Sequence, residues 1–191
     1  MKKTFVAAAT LALLLGSFSA AYAFGYISPT NAYLMLNPVN DDFNNPVYLL
    51  DVRTPEEYAA GHPGENAAGQ GAWLDEPDPK VFNIPVKVRV GGTLVLNDQF
   101  VQEVQSQFAL NDYLLVICAS GTRSLLACQL LDGIGYAGLY DIPTGFTGPE
   151  GWLALGLPSH DSMDPVPVPA SLLLLGSGLA GVAGVRGLRL F

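Results

Sequence analysis

Basic residues are scarce in this chain. Its 191 residues include nine Lys and Arg against 17 Asp and Glu, and the formal net charge is −8. Four of the nine basic residues stand close to the two ends, at Lys2, Lys3, Arg186 and Arg189. Nucleic-acid binding needs clustered Lys and Arg, so this composition argues against nucleic acid as a partner. Long-range attraction of anionic substrates is disfavoured too, so any anion needs a local binding site.

Cysteine is also scarce, with only Cys118 and Cys128. Two cysteines in an exported chain often form a disulfide. Here, however, Cys118 ends an apolar run of strand type, and Cys128 lies several residues into the helix predicted to follow. At ~1.5 Å of rise per helical residue, the two Cα atoms lie beyond the ~7 Å that a bridge allows. We therefore predict two free thiols, with Cys128 a small buried helix residue.

Long apolar runs are confined to the ends of the chain. At the N-terminus, two lysines precede an apolar stretch over residues 5–18, and Ala-Tyr-Ala at 21–23 matches a small-x-small cleavage site. This pattern is typical of a secretory signal peptide. We predict that residues 1–23 are such a peptide and are removed. A retained N-terminal anchor is the alternative, which the shortness of the apolar run disfavours.

The C-terminal apolar run follows a proline-rich linker over residues 161–169. Residues 170–185 are apolar and glycine-rich, and Arg186 and Arg189 form a short basic tip. With Val-Pro-Val-Pro-Ala at 166–170 before them, these parts resemble the PEP-CTERM sorting signal in its VPxPA variant, which implies processing by an exosortase in a Gram-negative bacterium. We predict that residues 170–191 form a sorting or anchor helix in the inner membrane, with its arginines on the cytoplasmic side. A plain tail anchor is the alternative.

Between these ends the sequence alternates strand and helix patterns. Strands are predicted over residues 47–52, 82–86, 113–118 and 138–142, with helices between most of them. This alternation predicts an α/β fold over residues 24–160, with a central, mostly parallel sheet and helices on both faces. Residues 63–82 are rich in Gly, Asp, Pro and Asn and are predicted to form a long surface loop.

Several turn and helix boundaries can also be predicted from local signals. Ser28 and Thr54 are predicted N-caps, and Glu57 completes a capping box with Thr54. Gly-Gly at 91–92 predicts a hairpin over residues 87–96, and Asn97 is predicted to cap the next helix. A further short helix is predicted over residues 151–155.

The chemistry-bearing feature is the segment Cys-Ala-Ser-Gly-Thr-Arg-Ser at residues 118–124. It joins a predicted strand to a helix predicted from Leu125. A thiol at that junction lies among backbone N–H groups that have no partner within the helix, and these stabilise a thiolate. Arg123 adds a positive charge. In parallel sheets ligands bind at the carboxyl ends of the strands, which is where Cys118 lies.

Several motifs together resemble the single-domain rhodanese family. They are Ser-Pro at 28–29, LDVRTPEEY at 50–58 followed by Gly-His at 61–62, Asn-Ile-Pro at 83–85, the segment 118–124, and Gly-Leu-Pro at 156–158. The resemblance covers residues 26–158. It implies the rhodanese-like fold and the activity of a sulfurtransferase.

The resemblance also implies roles for individual residues. Cys118 is the expected nucleophile, which takes sulfane sulfur from a thiosulfate-like donor and passes the sulfur of its persulfide to a thiol or cyanide-like acceptor. The expected substrate-binding loop comprises Ala119, Ser120, Gly121, Thr122, Arg123 and Ser124, in which Arg123 holds either the loop or an anionic donor. Asp51, Arg53 and His62 are expected to be structural residues near the site. No metal and no cofactor are expected.

Two other functions stay open. Cell-cycle phosphatases of related fold, and arsenate reductases of that shape, have a loop one residue longer than the four residues that separate Cys118 from Arg123. The shorter loop favours sulfur over a tetrahedral phosphate. The second alternative is a binding or envelope module with an idle cysteine. It is motivated by the acidic composition, the sorting tail, the insertion at 63–82, and Pro-Thr-Gly-Phe at 143–146 where the family has a Gly-Gly turn.

Overall fold

The computed structural model describes residues 24–38, 45–75 and 79–161. The predicted signal peptide, almost all of the proline-rich linker and the predicted C-terminal helix lie outside these residues. No helix within the described ranges is both long and apolar enough to cross a bilayer.

The described chain contains nine strands and four α-helices. The strands are β1 (Gly25–Tyr26), β2 (Val47–Asp51), β3 (Gly61–Pro63), β4 (Val81–Asn83), β5 (Lys87–Val90), β6 (Thr93–Leu96), β7 (Tyr113–Ile117), β8 (Gly138–Asp141) and β9 (Ser159–Asp161). The helices are α1 (Pro29–Leu36), α2 (Pro55–Ala59), α3 (Phe100–Gln107) and α4 (Thr122–Leu131).

Five strands form one parallel sheet in the order β1-β8-β7-β2-β4. Each neighbouring pair in it is parallel, so all five strands end at the same edge. In the register of β2 with β7, Asp51 lies opposite Ile117, and Val116 of β7 lies opposite Asp141 of β8. The sheet therefore brings Asp51, Cys118 and Asp141 to one edge, and the predicted α/β fold is confirmed.

A hydrophobic core lies on each face of this sheet, because successive strand residues point to opposite sides. Leu114 and Val116 of β7 join the core that contains residues of α3 and α4. Leu115 and Ile117 join the opposite core, which contains residues of α1 together with Trp152. Helices thus cover both faces, as the alternation of elements predicts.

Some local predictions are confirmed and others are wrong. The Ser28 side chain caps α1, and Thr54 with Glu57 forms the predicted capping box at α2. The hairpin over residues 87–96 is present. Helix α3, however, begins after Gln99, because the Asn97 side chain accepts from the Gln99 N–H and closes a turn instead. Residues 151–155 form turns rather than a helix.

The predicted surface loop at 63–82 is attached to the domain at several points. It contains a 3₁₀ turn over Ala72–Leu74, and Leu74 is fully buried in the core beside α1. β3 pairs with β9 in an antiparallel ladder that sets His62 opposite His160. The His160 Nε2 lies 3.1 Å from a carboxylate oxygen of Asp75. Long-range contacts therefore anchor a segment whose composition predicts a loop.

Candidate active site

Cys118 directly follows β7, at the edge where the parallel strands end. The residue is 1 % exposed. The Gly121 N–H donates to Cys118 Sγ at an N···S distance of 3.1 Å. This contact places a backbone N–H that has no partner within the following helix at the sulfur.

The helix that follows the cysteine begins earlier than predicted. Gly121 is the N-cap of α4, so Thr122, Arg123 and Ser124 form the first helical turn rather than a loop. Gly121 has a φ of +94°, and a Cβ at this position would overlap the Pro143 carbonyl. A glycine is needed here, since other residues rarely adopt this φ and none would fit the space. The early start brings the N-terminus of the helix to the sulfur.

Ser124 and Asp141 lie behind the sulfur. Ser124 Oγ is 3.6 Å from Cys118 Sγ, and the Ser124 hydroxyl donates to the Gly121 carbonyl at 2.9 Å. Burial raises the pKa of Asp141, and a hydrogen bond from Ser124 opposes the rise. One Asp141 carboxylate oxygen is buried without a hydrogen-bond partner. Asp141 was not singled out from the sequence, although a polar residue ending a predicted parallel strand is the signal that could have found it.

Arg123 is held by Glu57 of α2. The guanidinium donates to both carboxylate oxygens, at 2.5 and 2.7 Å, a bidentate arrangement that is strong and geometrically specific. The Arg123 hydrogen bond lowers the pKa of Glu57 to about 2, and Glu57 in turn raises the pKa of Arg123. A Glu57 oxygen also accepts from the Thr54 N–H, as part of the capping box. Arg123, which the resemblance leads us to expect to hold the loop or an anionic sulfur donor, is thus bound to Glu57, a carboxylate that also caps α2.

Asp51 and Arg53 form a buried ion pair below the site. The Arg53 guanidinium donates to both Asp51 oxygens and, at 2.7 Å, to the Gly61 carbonyl. The two side chains are 0 % and 3 % exposed. The guanidinium also lies over the Phe146 ring, 4.2 Å from its centre. These contacts are those of a pair that holds the end of β2, β3 and the 143–146 segment together.

The segment Pro-Thr-Gly-Phe at 143–146 and the two residues after it turn over the start of the cysteine loop. The Phe146 N–H donates to the Cys118 carbonyl at 2.7 Å, and the Thr147 N–H donates to the Ala119 carbonyl at 2.9 Å. This turn thereby fixes the backbone at Cys118 and Ala119. Its composition departs from the family pattern, and the role of Phe146 could not be seen in the sequence.

His62 contacts Tyr58 and Pro63. Its ring stacks on Tyr58 with centroids 3.9 Å apart, and its Nδ1 lies 2.9 Å from the Pro63 carbonyl. Burial lowers the pKa of His62, so the ring is neutral at neutral pH. In the described part of the chain, no three His, Cys, Asp or Glu side chains are grouped so that they could hold a metal ion.

The other thiol lies on the buried side of α4. Cys118 and Cys128 are both free, as predicted. Burial raises the pKa of Cys128, which therefore stays protonated and unreactive. The two cysteines thus differ sharply in surroundings, because only Cys118 has a backbone donor at its sulfur in the contacts described.

A pocket of about 200 Å³ opens beside the cysteine. It is lined by Arg53, Glu57, Ala60, Gly61, Ala119, Phe146, Thr147 and Leu153. Arg53 and Glu57 face it as members of ion pairs, and most of the other lining residues are apolar. The site thus combines a buried sulfur, a helix N-terminus and a small, largely apolar opening.

Comparison with known proteins agrees with this architecture. Thiosulfate sulfurtransferase 16 of Arabidopsis thaliana is 34% identical over 110 residues, which cover 58% of this chain and 77% of the relative. The senescence-associated protein DIN1 of Raphanus sativus is 36% identical over 97 residues, 51% of this chain and 45% of that protein. The chain thus spans about half the length of some of the curated relatives it matches.

A solved structure and a family model show which family the chain belongs to. The crystal structure of Rv0390 from M. tuberculosis superimposes with a TM-score of 0.56 at 27% identity, covering 74% of this chain and all of the other. The model of the rhodanese-like domain family matches residues 34–151, more than half of the chain. The chain therefore belongs to the rhodanese-like domain family.

Proposed function

We propose that this protein is a sulfurtransferase that carries sulfane sulfur as a persulfide on Cys118. The observation that carries the proposal is the 3.1 Å contact between the Gly121 N–H and Cys118 Sγ, at the N-terminus of α4. The Gly121 N–H stabilises the Cys118 thiolate before the sulfur-containing substrate binds. After the transfer it stabilises the terminal sulfur of the persulfide. Relatives named as thiosulfate sulfurtransferases support the same chemistry.

The transfer is balanced without a cofactor. The Cys118 thiolate attacks the outer sulfur of the donor, a new S–S bond forms, and the donor's own bond to that sulfur breaks. The leaving group departs with the electron pair, as sulfite from thiosulfate or as a thiolate from an organic persulfide. A thiol or cyanide-like acceptor then attacks the outer sulfur and regenerates the Cys118 thiolate.

The dimensions of the loop favour sulfur over a phosphate or arsenate group. Gly121 already contributes its N–H to Cys118 Sγ, and the turn at 143–148 lies against the loop. A tetrahedral oxyanion needs several loop N–H groups around it, as well as a free cation. Arg123, the cation in the first turn of α4, is paired with Glu57 instead.

Persulfide formation tests this proposal directly. The full chain is incubated with a sulfur donor, and intact-mass spectrometry reads the gain of one sulfur atom. We expect the adduct in the wild type and in Cys128→Ala, and its loss in Cys118→Ser. If no donor, whether thiosulfate or an organic persulfide, yields the adduct, the proposed function is wrong.

An idle binding module is the second candidate, favoured by the 1 % exposure of Cys118. The rate of alkylation by iodoacetamide separates the two. A carrier needs a reachable thiolate and is alkylated within minutes at neutral pH at Cys118. An idle cysteine is alkylated only as fast as the protein unfolds, and at the same rate as Cys128.

We also propose that the protein is exported and held at the membrane or cell envelope. The support is the signal-peptide pattern of residues 1–23 and the VPxPA-like C-terminal segment. Transport would place Cys118 on the periplasmic side of the inner membrane, with an exosortase as the processing partner. Mass spectrometry of the protein recovered from cell fractions tests this: an intact N-terminus in the cytoplasmic fraction would contradict it.

A further inference from the structure

A second cavity lies against the turn at 143–147 and has different walls from the cysteine pocket. Its volume is about 500 Å³, which is within the range of sites for small organic molecules. We call it the α1 cavity, and it is lined by Tyr26, Ile27, Ser28, Pro29, Thr30, Pro143, Thr144, Glu150 and Leu155. It has no lining residue in common with the pocket beside Cys118, so the two are separate sites.

Most of the wall of the α1 cavity is apolar. Ile27, Pro29, Pro143 and Leu155 provide aliphatic surface, and Tyr26 provides an aromatic ring. Tyr26 is 67 % exposed and Leu155 is 46 % exposed, so both have surface that a bound molecule can cover. Burial of this surface provides affinity for the hydrocarbon part of a ligand.

The charge of the wall favours a cation. Glu150 is the one charged side chain among the described residues that line the cavity, and within the described chain its carboxylate makes no salt bridge or hydrogen bond. The chain as a whole has 17 acidic residues against nine basic ones. An ammonium group therefore finds an unpaired counterion at the wall and an attractive field around it. The face of the Tyr26 ring also suits a cation.

Glu150 has a backbone conformation that suits glycine. Its φ is +58°, and every other described residue with a positive φ is a glycine. A non-glycine residue in this region lowers stability, and such strain is concentrated at functional sites. The chain thus keeps a carboxylate at a point of the wall where a glycine would be more stable.

The start of α1 does not make the cavity an anion site. Helix N-termini attract anions through backbone N–H groups that have no partner. Pro29, at the first helical position, has no N–H, and the Asn31 N–H already donates to Ser28 Oγ. This helix therefore has fewer donors for an anion than most.

The Thr144 hydroxyl favours a ligand that donates hydrogen bonds. Its oxygen is buried, and it has no hydrogen-bond partner among the described residues. A hydroxyl oxygen can accept from an ammonium group, and leaving a buried one unpaired costs free energy.

We propose that the α1 cavity binds a small organic cation, in which an ammonium group is carried on an aromatic or aliphatic body. Glu150 is its counterion, and the body packs against Tyr26, Pro143 and Leu155. This inference does not depend on sulfur transfer, because it uses no residue of the cysteine pocket.

Amide NMR of the full chain tests the site with phenethylammonium as the probe. We expect saturable shifts at residues 26–28, 144, 150 and 155, and the same affinity in Cys118→Ser. The anion 3-phenylpropionate has a similar hydrocarbon body and the opposite charge, and it should bind at least about tenfold more weakly. The absence of saturable shifts, shifts confined to other residues, or equal affinity for the two probes would overturn the proposal. Loss of binding in Cys118→Ser would also overturn it, since the probe would then bind at the cysteine pocket.

Variants of the wall provide the second arm. Glu150→Gln keeps the size of the side chain and removes its charge, so we expect the affinity for phenethylammonium to fall about fivefold or more. Leu155→Ala should weaken binding through lost apolar contact. The matched controls are Glu103→Gln on α3 and Leu110→Ala at another exposed leucine, and both should leave the affinity unchanged. Equal losses in Glu103→Gln and Glu150→Gln would mean that overall charge attracts the cation, which would overturn the site.

Glu150→Gly separates binding from folding. Because glycine suits a φ of +58°, this variant should unfold about 2–4 °C higher than the wild type while it loses affinity for phenethylammonium. Weaker binding by a more stable protein cannot be a consequence of unfolding. Unchanged affinity in Glu150→Gly would overturn the role of the carboxylate and the proposal with it.

Discussion

The N–H of Gly121 donates to the sulfur of Cys118 at an N···S distance of 3.1 Å. Steric fit requires a glycine at this position. Its φ of +94° suits glycine, and the Pro143 carbonyl occupies the space that a side chain would need. The position of the N–H at the sulfur therefore depends on a close fit between the loop after Cys118 and the turn at Pro143.

Replacing Gly121 tests whether the fit of Gly121 against Pro143 affects Cys118 beyond its effect on overall stability. Gly121→Ala is expected to lower stability by more than the roughly 1–3 kcal/mol typical of a left-handed non-glycine residue, because the methyl group also meets the Pro143 carbonyl. Alkylation of Cys118 should slow at the same time. Thermal unfolding and iodoacetamide labelling measure the two effects. Gly133→Ala is the matched control, since Gly133 has a φ of +81° with no atom near its would-be Cβ. Equal losses in both variants would contradict a specific role for the Pro143 contact.

Removing the Ser124 hydroxyl should weaken the thiolate without unfolding the domain. Ser124→Ala deletes an oxygen that lies 3.6 Å from Cys118 Sγ, and whose proton can leave the Gly121 carbonyl for the sulfur once a thiolate forms. One such hydrogen bond contributes about 1 kcal/mol, which corresponds to roughly a fivefold slower alkylation at neutral pH. The labelling rate across a pH series measures it. Ser106→Ala, on the exposed side of α3, should leave the rate unchanged; a rate as fast in Ser124→Ala as in the wild type would show that the hydroxyl does not help the sulfur.

Acid should release the ion pair between Glu57 and Arg123 in a defined pH range. The pKa of Glu57 falls from an ordinary 4.5 to about 2 in the folded chain. A lowered pKa means that the folded state favours the carboxylate, so the stabilisation is complete above pH 4.5 and is lost as the pH falls towards 2. Thermal midpoints between pH 6 and pH 2 should therefore fall less steeply in Glu57→Gln than in the wild type. Glu103→Gln serves as the control, and a wild-type slope in Glu57→Gln would contradict the prediction.

Breaking the buried pair of Asp51 and Arg53 should be costly. Arg53→Ala leaves the Asp51 carboxylate, which is 0 % exposed, without its partner. Removing one member of a buried pair typically costs about 3–5 kcal/mol. Urea unfolding measures the loss, and Arg89→Ala, at a cation exposed on the hairpin, should cost under about 1 kcal/mol. A similarly small cost for Arg53→Ala would show that water or a rearranged neighbour replaces the guanidinium.

The sequence predicts the features of this domain that are local. The capping box at Thr54, the cap at Ser28 and the junction of strand and helix at Cys118 each depend on residues a few positions apart. The alternation of apolar segments likewise predicts the parallel sheet, since such segments must be buried together.

What the sequence could not predict are contacts between distant segments. Arg123 and Glu57 lie 66 positions apart, and no local pattern indicates that the two pair. The same holds for Asp141 behind the sulfur and for the Phe146 N–H on the Cys118 carbonyl. Leu74 shows why composition alone could not predict how residues 63–82 pack. Its buried side chain attaches a polar, glycine-rich segment to the core.

The turn after β8 has a consequence for the entropy of binding. Its N–H groups at Phe146 and Thr147 hold the carbonyls of Cys118 and Ala119, so the folded chain itself orders the backbone around the sulfur. A substrate that enters the pocket therefore loses its own freedom of motion but does not have to order this part of the protein. Even a small donor with few contacts could then bind in a reactive orientation, as the proposed transfer of a single sulfur atom requires.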